Sequence, residues 1–380
     1  MFSFCSPQAI HFGRGQSQQT AALAATFGTS VLVVHGADVA RAQWLMDDLH
    51  SAGLTTELTR CADEPSLPDI ERALHQLNGG TPDVVVGLGG GSVLDLAKAL
   101  AALIPSSGNP LTYLEGVGGG RPLDHAPLPM IALPTTAGTG AEVTKNAVIL
   151  VPEHGVKVSL RDPRMVPDIA IVDPSLMQGA PKQVALAAGL DAVTQVIEPY
   201  LSIKSNLMTD ALCRAAIPIG LNALKDLVEN DTAEAWDRMA WVSTSGGLAL
   251  ANAGLGAVHG FAGVIGGKTN APHGGICGAL LPAVLESHQR KAAAQTEVSV
   301  RLHWILHLLD TCFAEGEKGR GIALLRSWSR KMGLPGLAGL GLSIADYPEV
   351  AEAASKASSM GGNPFILSQH ELLEILHSAK

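Results

Sequence analysis

The sequence predicts an α/β domain followed by an all-helical domain. Short apolar runs at 31–34, 84–88 and 129–133 alternate with stretches of helical periodicity. That alternation is the pattern of a parallel sheet with helices on both faces. Beyond Pro181 the apolar residues keep helical spacing almost throughout, with little strand signal. A glycine-rich turn, GLGGGS at 87–92, joins one apolar run directly to a helix. With 380 residues the chain exceeds the size at which one hydrophobic core usually stops growing. The expected division is a nucleotide-binding domain over 1–180 and a helical domain over 181–380.

Val31-Leu-Val-Val34 reads as a buried strand and 38–51 as a helix. Leu67, Ile70, Leu74 and Leu77 mark a helix over 66–78. Thr81-Pro82-Asp83 introduces the strand Val84–Leu88, and Ser92 opens a helix to about Leu103 that buries Val93, Leu94, Leu96, Ala97 and Leu100. Pro129–Leu133 is a further strand, ending in Pro134-Thr135-Thr136. In the second half, 183–200, 206–227, 233–252, 256–266 and 273–290 read as helices, and 294–380 as helical with a break at Gly333-Leu-Pro335.

Apolar residues make up 47% and charged residues 16%, which suits a compact protein and disfavours disorder. The net charge is −9 without a basic stripe, so no nucleic-acid partner is expected. The five cysteines are scattered and form no CxxC, as reduced thiols in a cytoplasm would be. Residues 1–20 lack a signal-peptide core, and no run approaches the roughly 20 uninterrupted apolar residues of a membrane span.

Gly89, Gly90 and Gly91 let the backbone approach an anion without a Cβ, and Ser92 opens a helix whose first amides carry partial positive charge. Together they suit a pyrophosphate. The alternative is a plain strand-to-helix turn, with Asp95 and Lys98 as surface charges. Pro134–Gly140 forms a second loop, whose Thr135, Thr136 and Thr139 can wrap a phosphate or ribose or merely cap the next helix or turn. Asp191 and Gln195 share one helix face at i, i+4. With His259 and His273 they offer a carboxylate and two imidazoles, a ligand set for Zn²⁺ or Fe²⁺. A buried histidine can equally be structural.

The segments GGGSVLDLAK (89–98), PTTAGTGAEVT (134–144), GLDAVT (189–194) and Gly254–His273 resemble the iron-containing (group III) alcohol dehydrogenases. So do the opening HFGRG (11–15) and the stretch from Lys157 to Asp173-Pro174, and the match runs in order along nearly the whole chain. The resemblance implies a Rossmann-like domain and a helical metal-binding domain, in a fold shared with dehydroquinate synthase. It implies NAD- or NADP-dependent interconversion of a small alcohol with its aldehyde or ketone, and a homo-oligomer. By matching position, Gly89, Gly90, Gly91, Ser92 and Asp95 would hold the cofactor's pyrophosphate and nearby ribose. Thr135, Thr136 and Thr139 would line the rest of its channel, and Lys157 would lie near the nicotinamide. Asp191, His259 and His273 would be the catalytic metal's ligands.

The chain departs from the family pattern at three places. The usual fourth ligand, a His, is here Gln195, whose carbonyl oxygen is a weaker donor. A second usual His, assigned to proton relay, is here Gly263. An Asp that meets the adenosine ribose is here Gly36, which removes repulsion of a 2′-phosphate and admits NADP(H). The first two leave room for a metal-free reductase like the maleylacetate reductases, or for a non-catalytic relative. A dehydroquinate synthase-like lyase would want a basic pocket, whereas Lys204, Arg214, Lys225, Arg238 and Lys268 form no cluster in the sequence.

Overall fold

The structure, a computed structural model, describes residues 1–77, 80–269, 271–314 and 317–380. It divides into two compact units. One comprises Cys5–Thr136 and Gly140–Gln178, the other Gly179–Lys380 with Met1–Phe4 and Ala137–Thr139.

The first unit runs β1 (Ala9–Phe12), α1 (Thr20–Ala24), β2 (Ser30–His35), α2 (Gln43–Ser51), β3 (Thr55–Arg60), α3 (Leu67–Gln76), β4 (Val84–Gly89), α4 (Gly91–Leu103), β5 (Met130–Pro134), β6 (Asn146–Val151), β7 (Val156–Arg161) and β8 (Ile169–Val172). Six strands form one sheet in the order β1-β8-β5-β4-β2-β3, every pairing parallel. β6 and β7 form a separate antiparallel hairpin. The helix expected from residue 38 begins as a 3₁₀ turn over Val39–Ala42 before α2, because Asp38 accepts from the Ala40 amide and sets a tight entry.

Alternation along the central strands sends side chains to two cores. Val31, Val33, Val84, Val86, Ile131 and Leu133 meet Ala24 of α1 and Leu45 and Leu49 of α2. Leu32, Val34, Val85 and Ala132 meet Ile70 of α3, Leu94, Ala97 and Leu100 of α4, and Ile149 and Leu160 of the hairpin. Each of the valine, leucine and isoleucine side chains among them, fully buried, contributes roughly 1.5–3 kcal/mol. α3 starts on a capping box in which Ser66 and Asp69 satisfy each other's backbone amides. Lys98 is not a surface charge: it is buried, with Nζ 2.9 Å from Asp95 Oδ1 and 2.9 Å from Thr144 Oγ1, and also bonded to the Asn146 carbonyl. This pairing ties α4 to the start of β6.

The second unit contains α5 (Lys182–Leu201), α6 (Leu207–Asn230), α7 (Ala233–Ala253), α8 (Ala257–Thr269), α9 (His273–Lys291), α10 (Glu297–Phe313), α11 (Gly321–Lys331), α12 (Tyr347–Ser355) and α13 (Gln369–Ser378). Helices α5, α6 and α7 pack on one another, and α9 lies along α5. Small residues set these approaches. A Cβ on Gly189 would stand 2.7 Å from Leu224, and one on Gly220 would stand 3.0 Å from Val242. At 24 residues α6 is long and apolar enough to cross a membrane, yet it packs against α5 and α7 and carries Asp210, Arg214, Lys225 and Asp226.

Candidate metal centre and cofactor turn

α5 is apolar around most of its circumference, and Asp191, Gln195 and Glu198 are buried on it. Spaced by four and three residues, they share one face. A second helix brings the next donors. Gly274 and Gly278 lie on the side of α9 that meets α5: a Cβ on Gly274 would overlap the Ala187 carbonyl, and one on Gly278 would stand 2.5 Å from Leu190 Cδ1. The close approach places His273 and Cys277, the residues just before each glycine, beside Asp191.

The third contributor is α8. A 100° bend separates it from α7. Its first amides are satisfied from outside: Ala257 N donates to Asn363 Oδ1 at 3.1 Å and Val258 N to Glu198 Oε1 at 2.7 Å. The other Glu198 oxygen lies 2.7 Å from His259 Nδ1. Nδ1 therefore carries the proton in a neutral ring, and Nε2 faces the cluster.

Asp191, His259, His273 and Cys277 thus offer four ligand atoms, all within 4.8 Å of one another. His259 Nε2 lies 3.3 Å from Asp191 Oδ1, and His273 Nε2 lies 3.9 Å from the same oxygen. Cys277 Sγ is 3.8 Å from His259 Nε2 and 3.7 Å from His273 Nε2. All but His273 are buried, so the cluster opens on the His273 side. Burial pushes the His259 imidazole down, yet the Cys277 sulfur and the Asp191 and Glu198 carboxylates hold it well above its ordinary value. Burial likewise opposes protonation of His273, and Cys277 and Asp191 still raise it to about 9. Asp191 is fully buried, which works against its charge, but the two imidazoles hold it below the usual carboxylate range. These donors converge on a point that favours positive charge. A divalent cation satisfies them by displacing protons, and a carboxylate, two imidazoles and a thiol fit one chemically.

In Gln195, the expected fourth donor, Nε2 donates to the Gly138 carbonyl at 2.9 Å, which leaves Oε1 as the atom that could ligate. Cys277 and Glu198 were not singled out from the sequence. Cys277 stands i+4 from His273, and Glu198 stands i+7 from Asp191 on the same face, so both spacings were there to be read.

In the sheet unit, chain order reverses between β2 and β4, where a ligand crevice forms at the strands' carboxyl ends. His35 pairs with Leu88, and Gly89 pairs with Pro134. Gly36, Gly89–Ser92 and Thr135–Thr136 therefore follow three adjacent strands at that end. α4 begins at Gly91 with Gly90 as an N-cap that brings no side chain to its amides. A Cβ on Gly89 would overlap Val93, and one on Gly90 would stand 3.3 Å from Thr136. Around Gly36 a Cβ would meet nothing within 4 Å. Asp95 accepts from Val148 N at 3.0 Å besides pairing with Lys98, and Lys157 pairs with Glu64. Thr139 belongs with the helical unit. The turn after Gly140 has that glycine as its N-cap and so no side-chain cap of its own. The free amides at Gly91 and the bare glycine backbone suit the diphosphate of a dinucleotide.

Comparison with known proteins gives consistent results. The sequence model of iron-containing alcohol dehydrogenases matches residues 7–174, and that of the C-terminal region of the Fe-containing alcohol dehydrogenase family matches residues 185–380. The chain is 31% identical over 336 residues to lactaldehyde reductase of Escherichia coli (strain K12), covering 88% of this chain and 86% of that protein. It is 32% identical over 319 residues to alcohol dehydrogenase 4 of Saccharomyces cerevisiae, covering 83% and 80%. Among solved structures, 1,3-propanediol oxidoreductase superposes with a TM-score of 0.89 at 28% identity, covering 100% of both chains. Alcohol dehydrogenase from Oenococcus oeni gives 0.87 at 28%, also over 100% of both.

Proposed function

The chain belongs to the iron-containing alcohol dehydrogenase family, and on that premise we propose which residues carry its reaction. It is an oxidoreductase acting on CH–OH groups, a metal-dependent alcohol dehydrogenase and aldehyde reductase. Asp191, His259 and His273 hold the divalent metal. Gly89, Gly90, Gly91 and Ser92 receive the dinucleotide's pyrophosphate, with Gly36 and Asp95 toward the ribose. Thr135, Thr136, Thr139 and Lys157 line the remaining cofactor path. The buried carboxylate-imidazole cluster is the observation that carries the reading.

Gly89–Ser92 would hold a dinucleotide that supplies hydride chemistry, and Asp191, His259 and His273 would hold a cation that supplies Lewis-acid polarisation of the substrate oxygen. The chain's residues prepare that step. Asp191 supplies negative charge at a buried point. Glu198 holds the proton on His259 Nδ1 and so keeps Nε2 free to ligate. His273, the half-buried member, marks the side from which substrate would enter. Gly263 offers no proton-transferring group, so the alcohol proton would leave by water, by a second substrate hydroxyl or by another residue. Gly36 brings no carboxylate to the ribose and admits NADP(H) beside NAD(H).

Small or medium primary alcohols and aldehydes are the proposed substrates, in keeping with the lactaldehyde and 1,3-propanediol named for two relatives. We place the enzyme in the cytoplasm as a dimer or larger assembly; the five free cysteines agree with a reducing compartment. The test is His259→Ala with elemental analysis and turnover of simple aldehydes. The expected result is joint loss of metal and activity. Turnover in a metal-free variant would turn the reading toward the metal-free reductases.

A further inference from the structure

We infer that Cys277 supplies the fourth protein ligand of the metal, in place of the imidazole that position 195 no longer carries, and that the resulting thiolate-containing site selects zinc over iron. This rests on the metal site proposed above.

Two independent observations lead here. The first is at Gln195. Its amide nitrogen is bonded to the Gly138 carbonyl at 2.9 Å, and a Cβ on Gly246 would stand 3.1 Å from its own Cβ, so α7 leaves it little room. The residue anchors a loop, and the cluster has lost a nitrogen donor from α5. The second is at Cys277. One helical turn after His273, its sulfur sits 3.7 Å and 3.8 Å from the two imidazole nitrogens. Zinc bonds of about 2.0 Å to nitrogen or oxygen and about 2.3 Å to sulfur put neighbouring tetrahedral donors roughly 3.3–3.6 Å apart. Four of the six donor pairs among Asp191, His259, His273 and Cys277 stand 3.3–3.9 Å apart, and all six lie within 4.8 Å. For those four pairs the difference from tetrahedral spacing is about half an ångström or less.

Charge and softness point the same way. Aspartate and thiolate together carry two negative charges, which balance a divalent ion. A set of one aspartate and three imidazoles carries one. Thiolate is a soft donor that suits zinc, whereas an oxygen-nitrogen set accommodates iron. Gly278, against Leu190, fixes the sulfur's place by letting α9 lie close to α5.

The experiment loads the full-length apo protein with Co²⁺ without air and records its absorption. It then offers equal Zn²⁺ and Fe²⁺ and measures metal content, for the wild type and for Cys277→Ser. The wild type should show an intense near-ultraviolet sulfur-to-cobalt charge-transfer band and should retain zinc. Cys277→Ser should lose the band and hold zinc at least about 100-fold more weakly, since removing even a residue that only supports a ligand costs 10–100-fold. Cobalt bound without the band overturns the cysteine assignment and leaves the metal site standing. So does a Cys277→Ser protein that keeps wild-type zinc affinity. Retention of iron over zinc with the band present overturns the selectivity. If no metal binds at all, the metal site itself fails, and this inference with it. The cobalt band is read on the wild type, so the assignment stays testable if the variant does not fold.

Discussion

Glu198 touches two things at once: Oε2 stands 2.7 Å from Nδ1 of His259, and Oε1 accepts the Val258 amide at 2.7 Å. The carboxylate therefore fixes both the tautomer of a metal-facing imidazole and the start of the helix that carries it. Glu198→Gln keeps an acceptor for one of these groups but loses the charge. Zinc or cobalt affinity should fall by 10–100-fold, the range seen when such supporting partners are removed, read by competition with a chelating dye. Glu198→Ala should also lower the melting temperature, because the Val258 amide would be buried without a partner. Unchanged metal affinity in both variants would show that Glu198 serves only the helix.

The glycines beside the ligands have a separate, mechanical role. Gly274→Ala forces a methyl into the Ala187 carbonyl, and Gly278→Ala forces one to 2.5 Å from Leu190. Backbone cannot give way as a side-chain tip can, so Gly274→Ala should be the worse of the two. The expected cost is about 1–3 kcal/mol, as for overpacking elsewhere, with metal affinity reduced because α9 moves away from Asp191. Chemical denaturation together with metal titration checks this. A Gly274→Ala protein as stable and as tight for metal as the wild type would contradict this packing of α9 on α5.

At the end of β2, Gly36 has open space where a side chain would go. Gly36→Asp should fold normally and place a carboxylate where a 2′-phosphate would sit. Like charge at that range disfavours NADP, and the ratio of kcat/KM for NADP over NAD should drop by about 10–100-fold, or roughly 1.4–2.7 kcal/mol. Steady-state kinetics with both cofactors reads it. An unchanged ratio would place the adenosine ribose away from Gly36.

Burial decides which elements are legible in the sequence. β2, β4 and β5 are covered on both faces and read as apolar runs, so their strands stand out. β3 is an edge strand, Thr55-Thr-Glu-Leu-Thr-Arg60, with Thr59 as its one buried side chain, and nothing in it alternates cleanly. β1 at the other edge has no buried residue at all, and the hairpin of β6 and β7 lies outside the main sheet. Such segments gain their strand character from neighbours the sequence does not display. The helices of the second half are legible because their apolar faces are wide. At the site, Asp191, His259 and His273 announce themselves by residue type. Cys277 is hidden by being one of five scattered cysteines, and its role emerges only when Gly274 and Gly278 bring α9 onto α5. Gln195 fills a ligand position in the sequence, but its bond to Gly138 depends on a distant loop that comes after a strand much earlier in the chain.

His288 gives the chain a defined acid limb. It is buried on α9, edge-on to the Phe365 ring at 5.3 Å. Burial pushes its imidazole down to about 4, against the pull of the nearby Glu198 carboxylate and with the push of Lys291. The folded chain thus holds a neutral ring where the unfolded chain, with a value near 6.5, binds a proton. Stability from this residue is fully present above about pH 6.5 and is lost as pH falls toward about 4. The loss is about 2 kcal/mol at about pH 5 and about 3 kcal/mol at the end of that window. Carboxylates add their own acid dependence, so the measurement is a difference. Urea unfolding of the wild type and of His288→Gln is compared across the window. Glutamine does not titrate, and the gap between the two proteins should shrink or reverse by about 2 kcal/mol on acidification to about pH 5, whatever its size near neutrality. A gap that stays constant with pH would mean that His288 reaches solvent when protonated and that its burial carries no acid sensitivity.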